Sequence, residues 1–207
     1  MLHYSTIDAG TLDVLKRMMA IPELASFNLV GGTALALYFG HRISIDLDLF
    51  SSNEFNSDEI IEAISHQFPE FEYTLSNKIG VFGFIGSIKT DLVSYHIHPM
   101  IGPIHIEDSI RLLSLDDIMA MKISAILKRA AKKDFYDIAE LLEHFPLQKL
   151  IDAYRTKFPS QQLLISIPQA LTYFQECEDG EDPISLNNSN WESVKERISQ
   201  KVSDFLK

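Results

Sequence analysis

Gly31-Gly32-Thr33-Ala34-Leu35-Ala36-Leu37, followed after His41-Arg42 by Ile43-Ser44-Ile45-Asp46-Leu47-Asp48-Leu49-Phe50, is the stretch whose reading decides the fold. The apolar run Phe27–Val30 leads into the glycine pair, and Thr33 to Phe39 reads as a short buried helix ended by Gly40. Ile43 to Phe50 alternates carboxylate and aliphatic, the periodicity of a strand. On such a strand Asp46 and Asp48 share a face about 7 Å apart, with Leu47 and Leu49 on the other. Two like charges side by side repel unless a cation lies between them. Hard cations such as Mg²⁺ take oxygen ligands of this kind. A solvated strand edge is the alternative reading of the pair alone.

The glycines point the same way. Between a strand and a helix they let the backbone approach a ligand closely. The helix N-terminus then offers free N–H groups to a phosphate, and Thr33 adds a hydroxyl. Strand, phosphate-facing turn, helix and carboxylate strand together place a triphosphate and a metal on one surface. Arg42 is a candidate phosphate clamp, and His41 a local hydrogen-bonding residue.

Working outward, residues 8–20 read as a helix, and Ser57–Phe68 as a second with Ser57 as its cap. Three extended stretches follow: Phe71–Ser76, Ile79–Ile85 and Ser87–His96, with turns at Asn77-Lys78 and Gly86. Lys89 and Asp91 share a face of the last. Paired beside the Asp46–Asp48 strand, Asp91 supplies a third carboxylate and a proton acceptor; otherwise the two are an exposed Lys–Asp edge. His96 and His98 find no third ligand at convincing spacing for a zinc site.

From Ser114 the pattern is helical to Leu142, as two helices broken near Ala131–Asp134, then again over 147–157, 161–175 and Trp191–Leu206. Glu176–Pro183 reads as an acidic linker, and Trp191, Phe158, Tyr173 and Phe174 as core. The fold class expected is α+β (mixed α/β): a small mixed sheet flanked by helices over residues 1–112, then a helical domain over 113–207. Lys122, Lys128, Arg129, Lys132 and Lys133 form a local basic patch. Lys122, among Met119, Met121 and Ile123, is expected at the edge of a core, where a lysine reaches a triphosphate. Pairing along the helix with Asp134 and Asp137, or capping by those acids, is the alternative.

Read in order, Gly31-Gly32-Thr33, His41-Arg42-x-Ser44-x-Asp46-Leu47-Asp48 and Lys132-Lys133-Asp134-Phe135-Tyr136-Asp137 resemble the AbiEii/AbiGii-type nucleotidyltransferases. These are the toxin halves of bacterial abortive-infection and toxin–antitoxin pairs, within the DNA polymerase β-like superfamily. The resemblance runs from about Phe27 to Leu142. It implies that Gly31, Gly32, Thr33, Arg42, Ser44 and Lys122 hold the triphosphate of an NTP. It implies Mg²⁺, in a two-metal site, on Asp46, Asp48 and Asp91, with Lys122 and Asp134 completing the catalytic set. It also implies transfer of a nucleoside monophosphate to an acceptor hydroxyl, for some members a tRNA 3′ end, and a cognate antitoxin. Nucleotidylation of a protein or small molecule, or a non-catalytic binding module of the same fold, are the competing functions.

Composition bounds these readings. The chain has 207 residues, 18 Lys+Arg against 29 Asp+Glu, and a net charge of −11. That excludes a general nucleic-acid coat, so RNA must bind through a local patch. Hydrophobic residues at 46% and charged residues at 23% fit an ordinary globular protein. Cys177 is the only cysteine, which rules out an internal disulfide framework and suits a reducing cytoplasm. No apolar run is long enough to span a membrane, and the N-terminus lacks the layout of a signal peptide.

Overall fold

The computed structural model describes residues 1–207. Its helices are α1 (Ala9–Met19), α2 (Gly31–Phe39), α3 (Ser57–Gln67), α4 (Leu115–Arg129), α5 (Lys132–His144), α6 (Leu147–Lys157), α7 (Ile167–Leu171) and α8 (Trp191–Phe205). Its strands are β1 (Phe27–Leu29), β2 (Leu47–Ser51), β3 (Phe71–Ser76), β4 (Gly80–Ile85), β5 (Ile88–Ser94), β6 (His105–Glu107) and β7 (Ile110–Leu112). They form one mixed sheet in the order β3-β4-β5-β2-β1-β7-β6. β2 pairs parallel to β5 and antiparallel to β1, so the carboxylate strand lies in the middle.

Alternation along the strands sets the two faces. Leu47, Leu49, Leu92, Val81 and Ile85 are buried on one face, with Ile60 and Ile64 of α3. α1 locks onto α3 there: the Arg17 guanidinium donates to Gln67 O at the end of α3 and lies 4.3 Å from the Phe68 ring centre. That contact satisfies one of the carbonyls a helix end leaves open. Asp48 and Phe50 point to the other face, which α4 crosses. A single cluster of 52 buried apolar residues runs from Leu2 to Val202 and takes in both the sheet and the helical half. At its C-terminal end Phe135, Phe174 and Trp191 meet edge to face, with ring centres 5.3–5.7 Å apart.

Several boundaries differ from the sequence expectation. The carboxylate strand begins at Leu47, so Asp46 precedes it: residues 41–43 are drawn aside by Ile184 and Leu186, which hydrogen-bond Ile43 N and His41 O. α2 begins at Gly31, whose φ of +71° turns the chain directly into the helix. Asn56, one residue before Ser57, caps α3 by accepting from Asp58 N. The continuous helix expected over 161–175 is only α7 and a 3₁₀ turn at Gln175–Cys177, because Pro168 tolerates a helix only at its first turn and Ser166 caps it there. β5 ends at Ser94, so His96 and His98 lie beyond it, and His98 packs instead on Tyr95 and Phe158. Tyr173 is exposed rather than core. The short pair β6–β7 has no clear alternation and was not expected.

Candidate active site

The glycine turn and the carboxylate strands meet at the centre of the sheet. Parallel register sets Asp48 directly beside Asp91. Gly31 sits against them: a Cβ at that position would stand 2.6 Å from Asp48 Oδ2. Gly32 is equally constrained, since its Cβ would stand 2.1 Å from Arg42 Nη2. Thr33, buried in the first turn of α2, donates its hydroxyl within reach of both Asp46 O and Ser44 Oγ. The Thr33 and Ser44 hydroxyls therefore hold the chain in place just before Asp46.

The three carboxylates have different surroundings. Asp46, half-buried, has Lys133 Nζ 3.6 Å away. Asp91 binds the Lys89 ammonium through Oδ2, while its Oδ1 is buried with no hydrogen-bond partner. Burial raises the Asp48 pKa, the Lys89 charge opposes this, and the neighbouring Asp91 carboxylate adds to it. A crowded carboxylate pair with an unpartnered buried oxygen is a site that a cation would relieve. No three Asp, Glu, His or Cys side chains converge tightly enough to cage a metal ion by themselves. The donor set thus fits a hard cation that keeps oxygens from water or substrate in its shell.

Behind the turn lies a buried ion network that joins the two halves of the chain. Arg42 grips Asp137 through Nε (2.7 Å) and Nη2 (2.9 Å) and gives Nη1 to Ile43 O. His41 Nε2 lies 2.8 Å from the same carboxylate, and Lys122 Nζ 2.5 Å. Lys122 also donates to Asp134 (2.9 Å), which Arg129 binds through Nε at 3.0 Å. Burial pushes the Asp137 carboxyl up, but Arg42, Lys122 and His41 outweigh it and hold it well below the usual carboxylate range. Asp134 is lowered in the same way, against its burial, by Lys122 and Arg129. Burial pulls Lys122 down, yet Asp137 and Asp134 leave its pKa raised.

Each candidate can now be placed. Gly31, Gly32, Thr33, Ser44, Asp46, Asp48 and Asp91 gather around one turn. Lys122 lies deeper than the expected core edge and commits its ammonium to Asp134 and Asp137, because α5 packs both acids over it. Arg42 is buried against Asp137 rather than open to a ligand, although its guanidinium passes over Gly32. Asp137 is the network residue the sequence understated. Its spacing from Asp134 was visible, but its partners Arg42 and His41 lie some 95 residues away. The exposed cations near the site are Lys89, Lys128, Arg129 and Lys133.

Two cavities open on either side of Arg129. One, about 280 Å³, has Asp48 and Gly31 on its floor, Phe50 and Tyr95 on one wall, and Met121 and Lys128 of α4 on the other. The second, about 570 Å³, runs past Ser44 and Asp46 to Lys132 and Lys133, and is closed by the acidic segment Glu176–Pro183. Each is large enough for part of a nucleotide-sized ligand. A cavity of about 630 Å³ between α1 and α3 lies on the opposite face, away from all of these groups.

Known proteins share this fold. The fold is similar to a putative nucleotidyltransferase from Helicobacter pylori (TM-score 0.58, 16% identity, 95% of this chain and 94% of that one). It is also similar to MenT4, a nucleotidyltransferase toxin from Mycobacterium tuberculosis (TM-score 0.55, 14% identity, 95% and 86%). An uncharacterized protein of Aquifex aeolicus is 29% identical over 199 residues, covering 94% of this chain and 95% of that protein. The family described as "Nucleotidyl transferase AbiEii toxin, Type IV TA system" matches residues 13–205. A match over nearly the whole chain, on a fold that brings the glycine turn to the carboxylates, shows that this protein is a nucleotidyltransferase of the AbiEii toxin family.

Proposed function

We propose that the protein uses Mg²⁺ to transfer a nucleoside monophosphate from an NTP to an acceptor hydroxyl on RNA, a tRNA 3′ end, and acts in this way as the toxin of a toxin–antitoxin or phage-defence pair. One observation carries the reading. Asp48 and Asp91 face each other on parallel strands beside Gly31, with one Asp91 oxygen buried and unpartnered. Mg²⁺ on Asp46, Asp48 and Asp91 would polarise the phosphates and lower the pKa of the attacking hydroxyl.

The remaining work falls to the chain. The open N–H groups at the start of α2 and the Ser44 hydroxyl, which Thr33 holds in place, receive phosphate oxygens. The Asp91 carboxylate takes the proton of the acceptor hydroxyl as that hydroxyl's oxygen bonds to the α-phosphorus. The bond from that phosphorus to the bridging oxygen breaks, and pyrophosphate leaves. Lys128, Arg129 and Lys133 are the exposed charges able to meet the negative charge that builds on it. Lys122 and Arg42 act from behind, by fixing α4, α5 and the turn relative to one another. A cognate antitoxin belongs to the same proposal.

The test is transfer of α-³²P label from each of the four NTPs, with Mg²⁺, into total tRNA and into lysate protein, with Asp46→Ala alongside. Label in tRNA that vanishes with Asp46→Ala is the expected result and names the nucleotide. Label confined to protein would keep the chemistry and refute the RNA acceptor. Label that persists in Asp46→Ala would refute the site.

A further inference from the structure

The sheet also constrains what surrounds the acceptor hydroxyl. β2, β5, β4 and β3 lie side by side, and their register puts Asp48, Asp91, Phe82 and Leu75 in one lateral row. A second row, two residues along, holds Lys89, Phe84 and Glu72. Adjacent strands are about 4.8 Å apart, so the Phe82 backbone is about 5 Å from that of Asp91 and about 10 Å from that of Asp48. Phe82 and Phe84, alternate residues of one strand, point to the same side.

The two faces of this part of the sheet are treated differently. Val81, Ile85 and Leu92 are buried beneath α3. The carboxylate face has no such cover over β3 and β4: Phe84 is 39% exposed, Leu75 52% exposed and Phe82 half-buried. Exposed aromatic side chains gain nothing from the core and pay for hydration. Here Phe82 continues the row of carboxylates and Phe84 lies in the next row, across from Lys89. A chain that runs from a group over Asp48 and Asp91 toward β4 passes over Phe82 and Phe84.

We propose that Phe82 and Phe84 are a stacking platform for the unpaired nucleotides next to the acceptor hydroxyl, which makes the acceptor a single-stranded RNA end. This rests on the RNA-acceptor reading given above and adds the form of RNA. Flat aromatic faces on a sheet suit splayed bases, since every base has a π-face to offer. Lys89, between Asp91 and Phe84, brings an ammonium to the path of the sugar–phosphate backbone. Duplexed bases keep their faces stacked on each other and cannot use the platform. The platform supplies stacking without base-edge hydrogen bonds, so it tolerates sequence but requires an unpaired end.

The experiment compares two RNA hairpins, one with a short unpaired 3′ tail and one blunt, as acceptors for the labelled nucleotide. The wild-type protein is expected to have at least a tenfold lower KM for the tailed RNA, about the effect of one base–aromatic stack. Phe84→Ala and Phe82→Ala should each raise that KM about tenfold, leave the KM for NTP unchanged, and lose tail binding in fluorescence anisotropy. Phe84→Trp should restore both. Thermal melting of each variant confirms folding, and Phe84, being exposed, is the safer of the two. Transfer to tailed RNA with an unchanged KM in Phe84→Ala would overturn the platform and leave the RNA acceptor standing. Equal use of tailed and blunt RNA would do the same. Label that enters only protein in the wild type would overturn the acceptor reading and the platform together.

Discussion

Gly31 and Asp48 are coupled by a contact that only a residue without a side chain permits. Gly31 has φ +71° and no room for a Cβ beside Asp48 Oδ2. Gly31→Ala is therefore expected to cost about 1–3 kcal/mol in urea unfolding, from backbone strain, and to displace the Asp48 carboxylate. Asp48→Asn poses the opposite case. It removes one of two crowded carboxylates, so transfer should fall by at least about a thousandfold, the scale of losing a main electrostatic group. Melting temperature should stay the same or rise. Asp48→Asn that retains more than a tenth of wild-type transfer would remove Asp48 from the site. The glycine pair and the Asp46–Asp48 spacing were legible in the sequence, because each is local, whereas Asp91 joined them only on condition that its strand paired beside theirs. The unpartnered Asp91 oxygen was not legible, because it depends on which atoms of other strands surround it.

At the scale of elements, the Arg42–Asp137–Lys122–Asp134 network pins α5 and α4 to the segment between α2 and β2. Arg42 and Asp137 are about 4% and 0% exposed, and a buried charge without its partner is costly. Asp137→Ala should lower stability by about 3–5 kcal/mol in chemical denaturation and loosen the glycine turn. An Arg42→Ala, Asp137→Ala double-mutant cycle should show a coupling of at least about 1 kcal/mol. Additive effects would mean that the pair does not hold the elements together. The sequence showed α4 and α5 and nearly placed the break between them. It misjudged 161–175, where apolar spacing suggests a helix but Pro168 confines it to one short turn. It also set Lys122 at the core edge, since periodicity on α4 cannot reveal that α5 will lay two acids over it.

For the whole molecule, charge and its placement make separate predictions. Asp134 and Asp137 have folded pKa values below their unfolded ones. Their contribution is thus intact above the ordinary carboxylate value of about 4 and is lost as pH falls through the lowered folded values. Melting temperature should decline steadily below about pH 4, and less steeply in Asp137→Asn, as circular dichroism will show. Lys122, raised by the same acids, gives stability that persists through neutral pH and is lost only in strong alkali. In a protein of net charge −11, the exposed cations that RNA can engage near the site are few: Lys89, Lys128, Arg129 and Lys133. The slope of log affinity against log salt should then be no steeper than about −3 for a single strand. A much steeper slope would point to a basic surface that the fold does not have. By itself the sequence determined the glycine turn, the carboxylate strands, the long helices and the family resemblance, because these depend on neighbours a few residues apart. The tertiary structure alone decided which cations are spent on internal acids, which carboxylate oxygen is left free, and that Phe82 stands beside Asp91 with Phe84 one row on. Those outcomes depend on strand order and on how separate elements pack, from Asp48 beside Asp91 to His41 against Asp137, which no local spacing encodes.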